Sequence, residues 1–156
     1  KQANKGGLLL GICNGFQILC EAGLLPGALL HNNNQKFICR NTFLKACSGS
    51  AGITENVDKN KAYKIPIAHG EGRYYAEKEV VEDLFEKDQV LFQYCDVNGK
   101  VSENDNPNGS LKNIAGVSNK NKNVMGMMPH PERAVEPLLG NTDGIPLFES
   151  LLTLKV

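Results

Sequence analysis

The chain has 156 residues, of which 41% are hydrophobic, as expected for a globular domain with a real core. Its 17 basic and 17 acidic residues cancel at pH 7, so no net field favours nucleic acid or a membrane surface. No apolar run is long enough to span a bilayer, and no signal-peptide pattern leads the chain. We interpret residues 1–156 as a single domain.

Short apolar runs alternate with helical patterns along the chain, which predicts an α/β architecture. The predicted strands are Leu8–Ile12, Phe37–Ala46, Tyr63–Ala68, Gln89–Cys95, Ile114–Val117 and Val124–Met128. The predicted helices are Asn14–Ala22, Glu77–Lys87 and Leu147–Leu154. Because the first strand has no polar alternation, we expect it to be buried on both faces.

The segments between these elements read as turns and loops. LLPGALLH is predicted to be a turn-containing connector, and both HNNNQ and DNPNGS have loop composition. Asn98-Gly99 follows a predicted strand and is a strong signal for a β-hairpin.

The motif G-I-C-N-G, from Gly11 to Gly15, stands at the junction of the first strand and the first helix. This arrangement is typical of a nucleophile elbow, whose turn is so tight that side chains at both flanking positions are expected to clash. The elbow presents Cys13 beside a helix N-terminus, which favours a thiolate, with the N–H of Asn14 directed at a developing oxyanion. The plain alternative is a small buried residue in a glycine-flanked turn.

The remaining four cysteines read as ordinary core residues, because the chain has no CxxC metal spacing. An odd total of five cysteines is explained most simply by reduced thiols, which indicates a cytoplasmic protein.

A nucleophilic cysteine needs a histidine within hydrogen-bond reach. His31 reads as a solvated loop residue, and His69 follows a predicted strand. His130, in MMPHPER, lies between two prolines that fix its backbone, and Glu132 points the same way in an extended chain. We predict that His130 is the base and that Glu132 orients it. A proline-rich turn with a chance acidic residue is the structural alternative.

Several motifs together resemble the class I (triad) glutamine amidotransferases, and more narrowly the glutaminase subunit or domain of phosphoribosylformylglycinamidine synthase. They are LGICNGFQIL, AGLLPGALL, PIAHGEGRY, NPNGS and VMGMMPHPERA, which span nearly the whole chain. The resemblance implies a flavodoxin-like α/β fold, with an open, mostly parallel sheet and flanking helices. It also implies that Cys13, His130 and Glu132 hydrolyse glutamine in de novo purine biosynthesis.

The resemblance further implies a set of substrate-binding residues: Asn14, Gln17, Phe37, Arg40, His69 and Gly70. The loops HGEG and NPNG are expected at the mouth of the site, where they contact either glutamine or a partner subunit; the sequence leaves both open. The implied partners are the synthetase subunit, which converts formylglycinamide ribonucleotide to the amidine, and a small accessory subunit in some systems. The resemblance assigns ATP and magnesium to the synthetase and no cofactor or metal to this chain, and the sequence agrees in having no GxxxxGK phosphate-binding loop.

One part of the family pattern is not found. The resemblance implies a preceding segment with a glycine-rich loop that supplies a second oxyanion N–H, and we expect the N-terminal part of the domain to be missing here. Gly6-Gly7 does not match that loop, because it falls immediately before the elbow strand. We therefore expect an exposed apolar edge beside this strand.

Three alternatives remain open at this point. The chain could be a non-catalytic docking module for the synthetase, a class I amidotransferase of another pathway, or a different cysteine hydrolase with the same elbow.

Overall fold

A computed structural model of the protein describes residues 2–49 and 51–153. Within them lie eight strands: β1 (Leu9–Ile12), β2 (Ala28–Leu30), β3 (Ile38–Ala46), β4 (Ala62–His69), β5 (Arg73–Tyr75), β6 (Val90–Cys95), β7 (Ile114–Ser118) and β8 (Val124–Met127). Six of these form one sheet in the order β1-β8-β7-β6-β3-β4, while β2 and β5 form a small antiparallel pair. All six predicted strands are present within a residue or two of their predicted ends.

The predicted α/β class is confirmed, but the strand directions differ from the expected mostly parallel sheet. In the described residues only β1 and β8 are parallel, and the other four neighbouring pairs of the large sheet are antiparallel. Strands β7 and β8 are consecutive in the chain and joined by a short turn, which forces the chain to reverse. Strands β1 and β8 come from distant parts of the chain and are free to run side by side in the same direction.

The three predicted helices are confirmed as α1 (Asn14–Glu21), α2 (Lys78–Glu86) and α3 (Ile145–Leu152). Helices α1 and α2 cover one face of the sheet, where Phe16, Leu19, Val81 and Leu84 join one hydrophobic cluster. Helix α3 contributes Leu147 to the second cluster. The predicted end of this helix, Leu154, lies outside the described residues. None of the described helices is long and apolar enough to cross a membrane.

Strand β4 shows how alternation places a polar residue inside the protein. Tyr63, Ile65, Ile67 and His69 are all buried, as expected when every second side chain faces the core. Pro66 lies in the same strand, which is tolerated because β4 is the last strand of the sheet. The carbonyl of Pro66 accepts a hydrogen bond of 2.8 Å from the backbone N–H of His130.

Three local predictions were wrong. Strand β1 is not buried on both faces, because it pairs only with β8 in the described part and its leucines are partly exposed. The connector after α1 contains the three-residue strand β2, whose partner β5 lies too far along the chain to be recognised from local pattern. The turn at Asn98-Gly99 forms, with Gly99 at φ +78°, but no strand follows it, so it does not close a hairpin.

The contact between α1 and β8 depends on Gly126. A Cβ atom at this position would lie 2.2 Å from Phe16 Cδ2 and 2.6 Å from Leu25 Cδ1. We expect Gly126→Ala to lower the free energy of unfolding by about 1–3 kcal/mol, because the packed rings and methyl groups must move apart. Chemical denaturation of the full chain measures this change.

Gly15→Ala is the matched control, because no atom lies within 4 Å of a Cβ built there. It is expected to leave stability unchanged or slightly raised, since alanine favours the helix. Equal stability of the two variants would contradict the close packing of α1 on β8.

Candidate active site

Cys13 lies at a strained bend between β1 and α1. Its φ of +52° and ψ of −110° are rarely adopted by residues other than glycine, and such a backbone costs about 1–3 kcal/mol. Three backbone hydrogen bonds hold the bend. Cys13 N–H donates to the Met127 carbonyl at 2.9 Å, and the Cys13 carbonyl accepts from Phe16 N–H at 2.9 Å and Gln17 N–H at 3.2 Å. The predicted nucleophile elbow is therefore present.

The two glycines of the elbow differ in their roles. A Cβ atom on Gly11 would lie 2.6 Å from Leu19 Cδ1 and 2.7 Å from the backbone of Gly15, so no side chain fits there. A Cβ atom on Gly15 would meet nothing within 4 Å. The expectation that both flanking positions exclude side chains is thus correct for Gly11 and wrong for Gly15, because the chain passes close to the first position only.

The thiol of Cys13 is not a ready-made thiolate. Partial burial raises its pKa above the usual value, and the carboxylate of Glu132 adds to this effect. The backbone N–H of Asn14 and the guanidinium of Arg133 act in the opposite direction but do not prevail. The expected effect of the helix N-terminus is present, because the Asn14 N–H lowers the pKa, but desolvation outweighs it. Deprotonation of Cys13 at neutral pH therefore needs a base.

His130 lines the same cavity as Cys13 and is the candidate base. It is 7% exposed, and its Nδ1 lies 2.6 Å from Glu132 Oε1. A carboxylate can only accept a hydrogen bond, so in the neutral ring Nδ1 is the protonated nitrogen and Nε2 holds the lone pair. Nε2 is buried and has no hydrogen-bond partner in the described part of the chain. This is the orientation that a general base requires.

Cys13 and His130 line the same cavity, which has a volume of about 550 Å³. Its other lining residues are Ile12, Asn14, Gln17, Phe37, Ala68, His69, Gly70, Glu71 and Arg133. Of the predicted substrate-binding residues, only Arg40 is not among them; it is exposed on β3. Gln17 donates a hydrogen bond of 3.1 Å to the Glu71 carbonyl, which ties α1 to the opposite wall.

The sequence reasoning missed several residues of this site. Arg133 is not among the predicted substrate-binding residues, yet it lines the cavity. The Ala68 carbonyl lies 3.9 Å from Cys13 Sγ, a contact that no sequence pattern indicates. Asn32 was assigned to a loop, yet it is fully buried and its Oδ1 lies 3.0 Å from His69 Nδ1.

The HGEG and NPNGS loops pack against each other. Asn108, which is fully buried, donates a hydrogen bond of 2.8 Å to the carbonyl of Gly72. Ser110 Oγ in turn donates to Asn108 Oδ1 at 2.8 Å. The HGEG loop lines the cavity, while the residues of NPNG do not. The NPNGS loop thus supports the wall of the site from behind.

His31 is exposed, as predicted, and pairs with Glu71 at 3.3 Å. Gly6-Gly7 precedes β1, and the Gly7 carbonyl accepts a hydrogen bond from Asn123 at the end of the sheet opposite Cys13. The expectation that this pair does not serve the oxyanion site is confirmed. Among the described residues, no group of three His, Cys, Asp or Glu side chains is arranged to hold a metal ion.

Together, the elbow and the His130–Glu132 pair bring a thiol, an imidazole and a carboxylate to one cavity of an α/β fold. Residues 2–144 match the family model of the CobB/CobQ-like glutamine amidotransferase domain. The chain belongs to this family of glutamine amidotransferase domains.

Two curated relatives carry the name phosphoribosylformylglycinamidine synthase subunit PurQ. The chain is 54% identical to that of Chlorobium luteolum, over 96% of this chain and 64% of the relative. It is 53% identical to that of Aquifex aeolicus, over 97% of this chain and 66% of the relative. The narrower resemblance noted in the sequence is thus confirmed, and the chain spans about two thirds of the length of these relatives.

Solved structures agree with this assignment. A chain of the PurLQS structure from Thermotoga maritima superposes with a TM-score of 0.81 at 45% identity, covering 97% of this chain and 63% of that one. A GMP synthase subunit from Thermoplasma acidophilum gives a TM-score of 0.58 at 14% identity, covering 93% of this chain and 55% of that one. The second likeness concerns the fold alone.

The charges around Cys13 predict how its reactivity changes on substitution. Arg133→Met removes a positive charge that lowers the pKa of the thiol, so alkylation by iodoacetamide at pH 7.5 is expected to be slower than in the wild type. Glu132→Gln removes a negative charge that raises this pKa and is expected to make alkylation faster. Mass spectrometry of the Cys13 peptide over a range of pH measures both rates.

Lys120→Met is the matched control, because this exposed lysine lies in the turn between β7 and β8, away from the cavity. It is expected to leave the rate unchanged. Equal alkylation rates in the Arg133→Met and Glu132→Gln variants would contradict the opposite effects of these two charges on the pKa of Cys13.

Proposed function

We propose that this chain carries the catalytic site of a glutaminase subunit of phosphoribosylformylglycinamidine synthase. In this proposal it hydrolyses L-glutamine and supplies ammonia to a synthetase that converts formylglycinamide ribonucleotide to the amidine, in the cytoplasm. The observation that carries the proposal is the strained Cys13 elbow sharing a cavity with His130, whose ring is oriented by Glu132 at 2.6 Å. The PurQ relatives support the choice of pathway.

The geometry supports a mechanism in two stages. The Cys13 thiol gives its proton to His130 Nε2 while the sulfur attacks the side-chain carbonyl carbon of glutamine. The Asn14 N–H, in the first turn of α1, has no intrahelical acceptor and donates to the oxygen that becomes negative. The protonated His130, stabilised by Glu132, then passes its proton to the leaving nitrogen, and ammonia departs from a γ-glutamyl thioester.

Water completes the reaction. Once His130 has given its proton to the leaving nitrogen, its Nε2 can accept a second proton, from a water molecule that attacks the thioester carbonyl. The C–S bond breaks, the proton returns to the sulfur, and glutamate leaves. The raised pKa of Cys13 fits this sequence, because the thiol remains protonated until His130 receives its proton during attack.

The removal of Cys13 tests the nucleophile. We expect Cys13→Ala, in the full chain, to reduce glutamate release at least about a thousandfold, because no other group replaces the sulfur. Cys39→Ala is the matched control and is expected to retain wild-type activity. The prediction that Cys39 is a core residue was wrong, because it lies in the exposed first half of β3, and it does not line the cavity. Undiminished hydrolysis by Cys13→Ala would rule out the assigned nucleophile.

The partner assignment is tested with the synthetase. We propose that ATP and magnesium act on the synthetase and not on this chain, and that glutaminase activity rises when the synthetase docks, because free hydrolysis wastes glutamine. The measurement is glutamate release with and without the synthetase, formylglycinamide ribonucleotide and ATP. A chain that binds the synthetase but releases no glutamate under any of these conditions is a docking module, and that result would overturn the enzymatic proposal.

A further inference from the structure

His69 is a buried imidazole in the wall of the cavity, and the mechanism above does not use it. It is the last residue of β4 and is only 4% exposed, because alternation along the strand turns it inward with Ile65 and Ile67. The residue before it, Ala68, places its carbonyl 3.9 Å from Cys13 Sγ. The end of β4 therefore runs beside the nucleophile.

Asn32 determines which nitrogen of His69 carries the proton. The side-chain amide of Asn32 donates to the carbonyls of Lys36 and His69, both at 2.8 Å, so these two contacts identify its Nδ2. Its Oδ1 therefore faces His69 Nδ1, at 3.0 Å, and also accepts from Gly72 N–H at 3.2 Å. An amide oxygen can only accept, so Nδ1 is protonated and Nε2 holds a lone pair.

The ring is also locked in place. A Cβ atom on Gly72 would lie 2.3 Å from two atoms of the His69 ring and 2.5 Å from Nε2, so the backbone of Gly72 lies directly against the imidazole. The Gly72 carbonyl is held in turn by Asn108 at 2.8 Å. The HGEG and NPNGS motifs thus act together to fix the orientation of one histidine.

His69 Nε2 is buried and accepts no hydrogen bond from the described residues. A buried acceptor without a partner is costly and uncommon in native proteins. Burial, together with the nearby His130, lowers the pKa of His69 to about 4. The ring is therefore neutral at pH 7, and Nε2 acts as an acceptor and not as a donor.

We propose that His69 Nε2 accepts a hydrogen bond from the N–H of the glutamine carboxamide, and then from the ammonia that leaves. This inference rests on the proposed glutaminase function and makes His69 a positioning and leaving-group residue of the same site. A neutral acceptor in the wall of the cavity that Cys13 and His130 also line suits an amide N–H, since it provides no charge for the ammonium or carboxylate at the other end of glutamine.

The proton balance explains why a neutral histidine is suitable here. The proton that leaves Cys13 moves to His130 Nε2 and then to the amide nitrogen as the C–N bond breaks, so the product is neutral ammonia. His69 accepts a hydrogen bond throughout but neither gives nor takes a proton. The other ionisable groups that line the cavity are Cys13, His130, Glu71 and Arg133, with Glu132 bound to His130.

The test compares two substrates that differ only in the reacting group. L-Glutamine has a carboxamide N–H, whereas the γ-methyl ester of L-glutamate has none. His69→Asn keeps a polar group near Nδ1 for Asn32 but has nothing in place of Nε2. In the full chain with its synthetase, we expect kcat/KM for glutamine to fall at least about tenfold, while kcat/KM for the ester stays within about twofold of wild type.

His69→Gln carries an amide oxygen near the position of Nε2 and is expected to recover part of the activity on glutamine. The matched control is His31→Asn, because His31 is exposed and does not line the cavity; both substrates should be hydrolysed at wild-type rates. If His69→Asn lowers kcat/KM equally for both substrates, the role of His69 is merely structural and the inference is overturned. The inference is also overturned if kcat/KM falls for neither substrate. Failure of the wild-type protein to hydrolyse both substrates would instead overturn the proposed function itself.

Discussion

The hydrogen bond from Cys13 N–H to the Met127 carbonyl, 2.9 Å long, is the constraint on which the site depends. It continues the parallel pairing of β1 with β8 by one residue, to the point where both strands end. Beyond this hydrogen bond, the backbone after β1 turns sharply into α1, whereas the backbone after β8 continues through Pro129 to His130. The pairing of β1 with β8 therefore brings Cys13 and His130, which are far apart in sequence, to the same cavity. A second hydrogen bond, from His130 N–H to the Pro66 carbonyl, holds the segment around His130 against β4.

The electrostatics of the cavity follow from its partial burial. Desolvation raises the pKa of Cys13 and lowers that of His69, so both side chains are neutral at rest. In the proposed mechanism His130 becomes a cation when it takes the Cys13 proton, and Glu132 is already in place to stabilise it.

Support for the cavity wall comes from buried amides. Asn32 and Asn108 are completely buried, and each uses its side chain to satisfy backbone groups of the HGEG loop or its flanks. Buried polar side chains are tolerated when their hydrogen bonds are satisfied, and such networks make a loop rigid. The loops hold a defined shape without regular secondary structure because these side chains supply hydrogen bonds that a strand or helix supplies elsewhere.

Local sequence determined most of the elements and the bend at Cys13. Hydrophobic spacing was sufficient for α1, α2 and the strands of the large sheet, and the flanking glycines and the His130-Pro-Glu132 spacing indicated the elbow and the His130–Glu132 pair, because each depends on neighbours within a few residues. Only the tertiary structure decided the strand directions, the pairing of β2 with β5 and the burial of Asn32. It also decided that desolvation outweighs the helix N-terminus at Cys13, and that Arg133 rather than Arg40 lines the cavity. These properties depend on contacts between distant parts of the chain, which no local pattern records.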